Sequence, residues 1–124
     1  MPKLDQFTAG YIECALWISN DSNDAPLEDH YAPDDLHADA LVRIIDDCTK
    51  FQRDNAELLK QFGFTPRDHG HDFWLTRNGH GSGFWDRYGV NDPEHADIGK
   101  KLTEASEQFG ECNLYVGDDG KLYI

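Results

Sequence analysis

The chain has 124 residues with 24 Asp and Glu against 11 Lys and Arg, and its formal net charge is −13. This length holds a single domain over residues 1–124 and leaves no room for a catalytic domain beside a separate binding domain. With 39 % hydrophobic and 12 % aromatic residues the chain is too apolar for a disordered acidic tail, and its charge disfavours direct binding to nucleic-acid phosphates.

The first half of the chain predicts two helices separated by an acidic loop. Phe7, Tyr11 and Ala15 recur at helical spacing, which predicts a helix from about Asp5 to Ser19. Residues 20–33 combine turn formers and two prolines without an apolar period, and we expect a loop there. A second helix is predicted from residue 34 to residue 62, ending before a glycine, with Arg43 and Asp47 paired along its surface.

The second half predicts two hairpins around a third helix. Residues 71–76 are β-prone and residues 83–87 supply a returning segment, which predicts a hairpin with a glycine-rich tip at residues 78–83. Asp92 and Pro93 open a helix that ends before Gly110, and the turn at residues 117–120 predicts a C-terminal hairpin. The resulting order, ααββαββ, indicates an α+β domain with an antiparallel sheet of three or four strands packed against helices.

Neither a membrane span nor a secretory leader is expected, and the predicted location is the cytoplasm. No apolar run approaches the ~20 residues that cross a bilayer, and the first residues lack a basic stretch followed by an apolar block. Cys14, Cys48 and Cys112 are far apart and form no Cys-x-x-Cys pair, so we expect buried thiols rather than disulfides or zinc ligands. No cofactor is expected.

Acidic residues concentrate in one stretch that contains no cation. Between Lys3 and Arg43 there is no Lys or Arg. The candidate partner-binding carboxylates in this stretch are Asp21, Asp24, Glu28, Asp29, Asp34, Asp35 and Asp39. Because like charges kept together repel one another, we expect a surface that displays carboxylates to a basic groove in the way that DNA displays phosphates. The alternative is a solvated acidic loop that only aids solubility.

Histidines suggest an alternative function as a metal-binding protein or small hydrolase. On the predicted strand His69 and His71 share one face, and His80 follows in the glycine-rich tip. Together with Asp72 they form a candidate open metal site, although no known zinc-hydrolase spacing is present.

Two tryptophans occupy matching positions in the arms of the predicted hairpin. Trp74 follows Phe73 in one arm and Trp85 follows Phe84 in the other, so that one aromatic pair would face the core and one would face outward. An outward pair containing Trp74 and Trp85 is a candidate anchor for a partner, since aromatic residues dominate binding hot spots. The alternative is that both pairs belong to the core.

Two blocks of the sequence resemble a known family. Residues 71–87, HDFWLTRNGHGSGFWDR, and residues 114–124, LYVGDDGKLYI, are similar to segments of small, largely uncharacterised proteins of tailed bacteriophages and related mobile elements. The resemblance implies a phage accessory protein acting in the cytoplasm of the infected bacterium, and it carries no reaction or catalytic residues.

Together with the acidity, this resemblance predicts a binding protein rather than an enzyme. We expect it to inhibit or redirect a basic host protein that handles nucleic acid or defends the cell, such as a nuclease, a restriction or CRISPR component, or a polymerase. A virion-associated interaction protein that uses the aromatic residues is a further alternative.

Overall fold

The structure is a computed structural model that describes residues 3–21, 23–80, 83–88 and 91–124. Within these residues the helices are α1 (Gln6–Ile18), α2 (Ala38–Asp54), α3 (Ala56–Phe62), α4 (Pro66–Arg77) and α5 (Pro93–Glu107). Strands β1 (Tyr115–Val116) and β2 (Leu122–Tyr123) form an antiparallel hairpin. The protein is mostly helical, so the predicted α+β domain with order ααββαββ and three or four strands is wrong.

The largest correction concerns residues 71–76, which lie in α4 and not in a strand. The α4 N-terminus is a capping box, in which the Thr65 hydroxyl accepts from the Asp68 amide at 3.2 Å and the Asp68 carboxylate accepts from the Thr65 amide at 3.3 Å. Pro66 occupies the first helical position. The predicted returning arm contains a 3₁₀ turn, Phe84–Asp86, and the predicted tip includes Gly81 and Ser82, which lie outside the described residues.

Helices α1 and α4 pack with their backbones in direct contact. Gly10 on α1 faces the Arg67 carbonyl, and Gly70 on α4 faces the Phe7 carbonyl. A Cβ atom at either glycine would overlap the facing oxygen, so the close approach requires glycine at both positions. This contact buries α4 deeply, and its buried residues lie on nearly every side of the helix.

An aromatic core joins these two helices to α2. Phe7, Phe51 and Phe73 are each at most 1 % exposed, and the rings of Phe51 and Phe73 stack with centroids 4.3 Å apart. Phe62 and Phe84 extend the same cluster toward the segment that follows α4. The three cysteines are buried, which confirms that part of the prediction.

The predicted second helix is divided into two helices and begins later than expected. Asp34 and Asp35 belong to a 3₁₀ turn, Pro33–Asp35, and α2 begins at Ala38 after His37, whose Nδ1 accepts from the Asp39 amide. The break at Asn55 is stabilised by its side-chain amide, which donates to the Phe51 carbonyl at 3.0 Å.

Several local predictions are confirmed. Asp5 caps α1 by accepting from the Thr8 amide at 2.8 Å, and Asp92 caps α5 before Pro93. The C-terminal hairpin forms, with Tyr115 opposite Tyr123 in the register. No helix of the described residues is long and apolar enough to cross a membrane.

The acidic segment, residues 21–39, lies beside the C-terminal hairpin. Leu27, in the 3₁₀ turn Leu27–Asp29, is 1 % exposed and anchors the segment in the core. Further along, Leu36 forms a parallel bridge with Leu122, and the His37 amide donates to the Leu122 carbonyl at 2.9 Å. The N-terminus of α2 is therefore held against β2.

Candidate functional site

The predicted acidic surface is exposed at five of its seven carboxylates. The exposed residues are Asp24, Glu28, Asp29, Asp34 and Asp39. Within the described part of the chain, none of the seven carboxylates pairs with a lysine or arginine. Their one ionic contact among the described residues is weak, since the Asp39 carboxylate lies 3.9 Å from Nδ1 of His37 and its side chain is 95 % exposed.

The other two carboxylates hold the backbone of the segment. Oδ1 of Asp21 accepts from the amides of Asn23 and Ala25 at 2.8 Å and 3.1 Å. Oδ2 of Asp35 accepts from the Ala32 amide at 2.8 Å. These bonds are typical of Asx turns and caps, so Asp21 and Asp35 shape the loop that presents the exposed acids.

The hairpin turn adds carboxylates that the sequence analysis did not include. Asp118 and Asp119 lie in the turn between β1 and β2 and are both exposed. The Tyr123 hydroxyl donates to Oδ2 of Asp119 at 2.6 Å, which raises the pKa of Tyr123 to about 12 and lowers the pKa of Asp119. The His37 ring stacks on Tyr123 at 4.7 Å, which places the turn beside the head of α2. The sequence signal was the pair of aspartates itself, which was interpreted only as part of a turn.

The candidate metal site is not assembled. On a helix, residues two apart lie on nearly opposite sides, so His69 and His71 do not share a face as they would on a strand. Nε2 of the buried His69 lies 2.5 Å from the Gly63 carbonyl, whereas Nε2 of His71 lies 3.1 Å from Oε1 of Glu13. Across the described ranges, no group of three or more His, Cys, Asp or Glu side chains is placed to hold a metal ion.

Asp72, the fourth predicted ligand, is engaged by an arginine. Nε and Nη2 of Arg87 donate to its two carboxylate oxygens at 2.9 Å and 3.0 Å. Asp72 is 2 % exposed, and burial raises its pKa although Arg87 opposes that shift. The Arg87 guanidinium also lies 4.7 Å from the ring centre of Phe64. The pair therefore ties the segment after α4 to that helix and leaves neither carboxylate oxygen free of a donor.

Trp74 and Trp85 have opposite environments. Trp74 is 1 % exposed and stacks on His80 at 5.1 Å, so the predicted outward pair is wrong for this residue. Trp85 is 53 % exposed on the 3₁₀ turn after α4. The reason is that no strand alternation exists here, because Trp74 is on a helix that is covered on nearly all sides. Of the two tryptophans, Trp85 remains a candidate contact residue and Trp74 does not.

No protein-family model, curated protein or solved structure matches the chain. The likeness to bacteriophage proteins stays a prediction, and the chemistry of this chain's own surface is what indicates a function. In that chemistry the distinctive feature is the concentration of five exposed carboxylates without a lysine or arginine partner at residues 24–39 of the described structure.

Proposed function

We propose that this protein is a non-enzymatic binding protein that presents its acidic surface to a basic partner. The observation that carries the proposal is the concentration of five exposed carboxylates at residues 24–39, in a stretch without lysine or arginine, none of which pairs with a lysine or arginine within the described structure. A groove lined by Lys and Arg would supply the missing partners through charge-assisted hydrogen bonds.

Carboxylates elsewhere in the chain supply the contrast. Glu13 pairs with Arg67 at 2.7 Å and Asp97 pairs with Lys101 at 3.3 Å. Other exposed acids, among them Asp46 and Glu104, also lack such a partner in the described structure, so the acidic segment is set apart by its five exposed acids at residues 24–39 with no lysine or arginine in that stretch. Uncompensated like charges destabilise a folded state through self-repulsion, and contact with a basic partner relieves this repulsion.

The class of partner follows from the negative charge of the surface and from the resemblance to bacteriophage proteins. Proteins that bind nucleic acid carry grooves of Lys and Arg that recognise phosphates, and a row of carboxylates competes for the same side chains. The resemblance to bacteriophage proteins favours a partner in the cytoplasm of the infected bacterium. The proposed role is to inhibit or redirect a host nuclease, restriction or CRISPR component, or polymerase.

The test compares two variants that lose the same number of charges. The loop variant carries Asp24→Asn, Glu28→Gln, Asp29→Asn, Asp34→Asn and Asp39→Asn, and it keeps Asp21 and Asp35 because they hold the backbone. The control variant carries Asp46→Asn, Glu57→Gln, Glu94→Gln, Glu104→Gln and Glu107→Gln. All ten positions are exposed, and none of these carboxylates pairs with a lysine or arginine in the described structure.

The tagged proteins are incubated with bacterial lysate at low salt, and the fraction released by high salt is identified by mass spectrometry. We expect a nucleic-acid-handling protein to be recovered with the unsubstituted chain and the control variant but not with the loop variant. Equal recovery with all three proteins would contradict the proposal. Equal loss in both variants would show that net charge, rather than this surface, governs binding.

Exposure of Trp85 favours a second candidate function, assembly through an aromatic contact. A half-exposed indole is typical of interface anchors. If this function is correct, Trp85→Ala abolishes partner recovery or self-association measured by sedimentation, and the loop variant does not.

A further inference from the structure

The C-terminal hairpin has two unlike faces. Val116 pairs with Leu122 and Tyr115 pairs with Tyr123, and neighbouring pairs along a strand point to opposite sides. Leu122 is fully buried and its partner Val116 is 36 % exposed, whereas Tyr115 is 56 % exposed. The tyrosine pair therefore lies on the outer face of the hairpin. In the described structure the Tyr115 side of this face is open to solvent.

Three rings form a ladder across this outer face. The His37 ring stacks on Tyr123 with an interplanar angle of 21°, and Tyr123 stacks on Tyr115 at 5.8 Å with an angle of 22°. The hydrogen bond from Tyr123 to Asp119 fixes the middle ring. The faces of tyrosine rings carry negative potential, so the exposed end of the ladder attracts a cation.

A notch of about 450 Å³ adjoins the ladder. Its lining comprises Tyr115, Val116, Gly117, Asp118, Asp119 and Tyr123. Lys121, the one cation of the hairpin, forms no ion pair with either aspartate in the described residues, so the negative charge in the notch is not neutralised. Aromatic faces therefore meet two carboxylates in one opening, where Asp119 accepts from the Tyr123 hydroxyl and the Lys121 amide and neither carboxylate pairs with a cation of the described hairpin.

We propose that this notch binds an arginine side chain of the basic partner, with the guanidinium stacked on Tyr115 and hydrogen-bonded to Asp118 or Asp119. The proposal rests on the proposed function, and it adds a contact residue and a preference. A planar guanidinium stacks on a ring while its edge N–H groups reach carboxylates, whereas the compact ammonium of lysine does not stack in this way. Long-range electrostatic attraction by the acidic segment depends on charge alone and makes no such distinction.

The probes are two synthetic peptides in which four arginines, or four lysines, alternate with glycines. Each peptide is titrated into the ¹⁵N-labelled protein at low salt, and dissociation constants are measured from amide shifts. We expect the arginine peptide to bind about two- to fivefold more tightly than the lysine peptide. The largest shifts should occur at residues 115–123.

Two variants at one position separate the ring from the fold. Tyr115→Ser should reduce the affinity for the arginine peptide to that for the lysine peptide, because it removes the stacking face. Tyr115→Phe keeps the face and should retain the preference. The loop variant should weaken both peptides equally and leave their ratio unchanged, since its substitutions lie outside the notch.

The other possible outcomes contradict either the notch proposal alone or both proposals. If both peptides bind equally and shift residues 21–39, the notch proposal is wrong and the proposed function stands. A preference for arginine that persists in Tyr115→Ser also overturns the notch proposal. If neither peptide binds at low salt, both proposals fail.

Discussion

Replacing Arg77 with methionine should strongly destabilise the protein, because this side chain ties four segments together. The Arg77 side chain is 1 % exposed and lies at the end of α4. Its guanidinium donates to the carboxylate of Asp47 at 2.9 Å, the hydroxyl of Tyr11 at 3.2 Å, and the carbonyls of Phe109 and Gly110 at 3.1 Å and 2.9 Å. Arg77→Met keeps an apolar stem but leaves all four acceptors without this donor.

The expected loss follows from the burial of the pair. Breaking a buried ion pair by removing one partner costs about 3–5 kcal/mol. The Asp47 side chain is 24 % exposed, so water can solvate it in part and the lower end, about 3 kcal/mol, applies. With an unfolding entropy of roughly 2.1 cal/mol/K per residue, this loss lowers the Tm of a chain of 124 residues by about 12 °C.

Urea unfolding followed by circular dichroism measures the free energy of unfolding of each variant. Arg77→Lys keeps the charge without the fork of donors and should lose less than Arg77→Met. The double variant Arg77→Met with Asp47→Leu should be more stable than Arg77→Met alone, since it removes the unpaired carboxylate. A loss below about 1 kcal/mol for Arg77→Met, or no recovery in the double variant, would refute this reasoning.

Three further predictions concern the helix contact, acid stability and self-repulsion. Gly70→Ala should destabilise by about 1–3 kcal/mol despite its better helix propensity, because the added Cβ overlaps the Phe7 carbonyl; a higher Tm in thermal melts would contradict the contact. For Asp5, burial raises the pKa, but the hydrogen bonds from Thr8 and Gln52 outweigh it and lower the pKa below the ordinary 3.8. Its stabilisation is therefore present above pH 3.8 and is lost as pH falls through the lowered value, and Asp5→Asn, which keeps a cap, should flatten that decline in Tm. The loop variant should melt at a higher temperature than the control variant at low ionic strength, and a difference that persists in high salt would argue against self-repulsion.

The wrong prediction of a strand at residues 71–76 shows which sequence signals were sufficient to locate α4 and which were not. The capping box of Thr65 and Asp68 with Pro66 was present in the sequence, but the aromatic run after it favoured a strand. A helix buried on nearly every side has no polar stripe, so its 3.6-residue period is hidden. The break between α2 and α3 did have a signal in the sequence, because the helical spacing of the apolar residues is lost between Phe51 and Leu58, on either side of Asn55.

Some features of the candidate site could be predicted from the sequence and others could not. The run of carboxylates without cations is a property of the chain and was found from it, as was the hairpin turn. The neighbourhood of Asp119 and His37 was not found, because it depends on β2 docking beside the head of α2, at a sequence separation of more than 80 residues. The same applies to Trp74, whose burial comes from the packing around α4.

The sequence by itself determined the caps of α1 and α5, the C-terminal turn, the buried cysteines and the acidic segment. These features depend on neighbouring residues or on composition, so local physics is sufficient to predict them. The tertiary structure alone decided that residues 71–76 are helical, that Asp47 pairs with Arg77 rather than Arg43, and that the acidic segment joins the hairpin. Each of these outcomes depends on contacts between segments far apart in the chain, where packing outweighs local propensity.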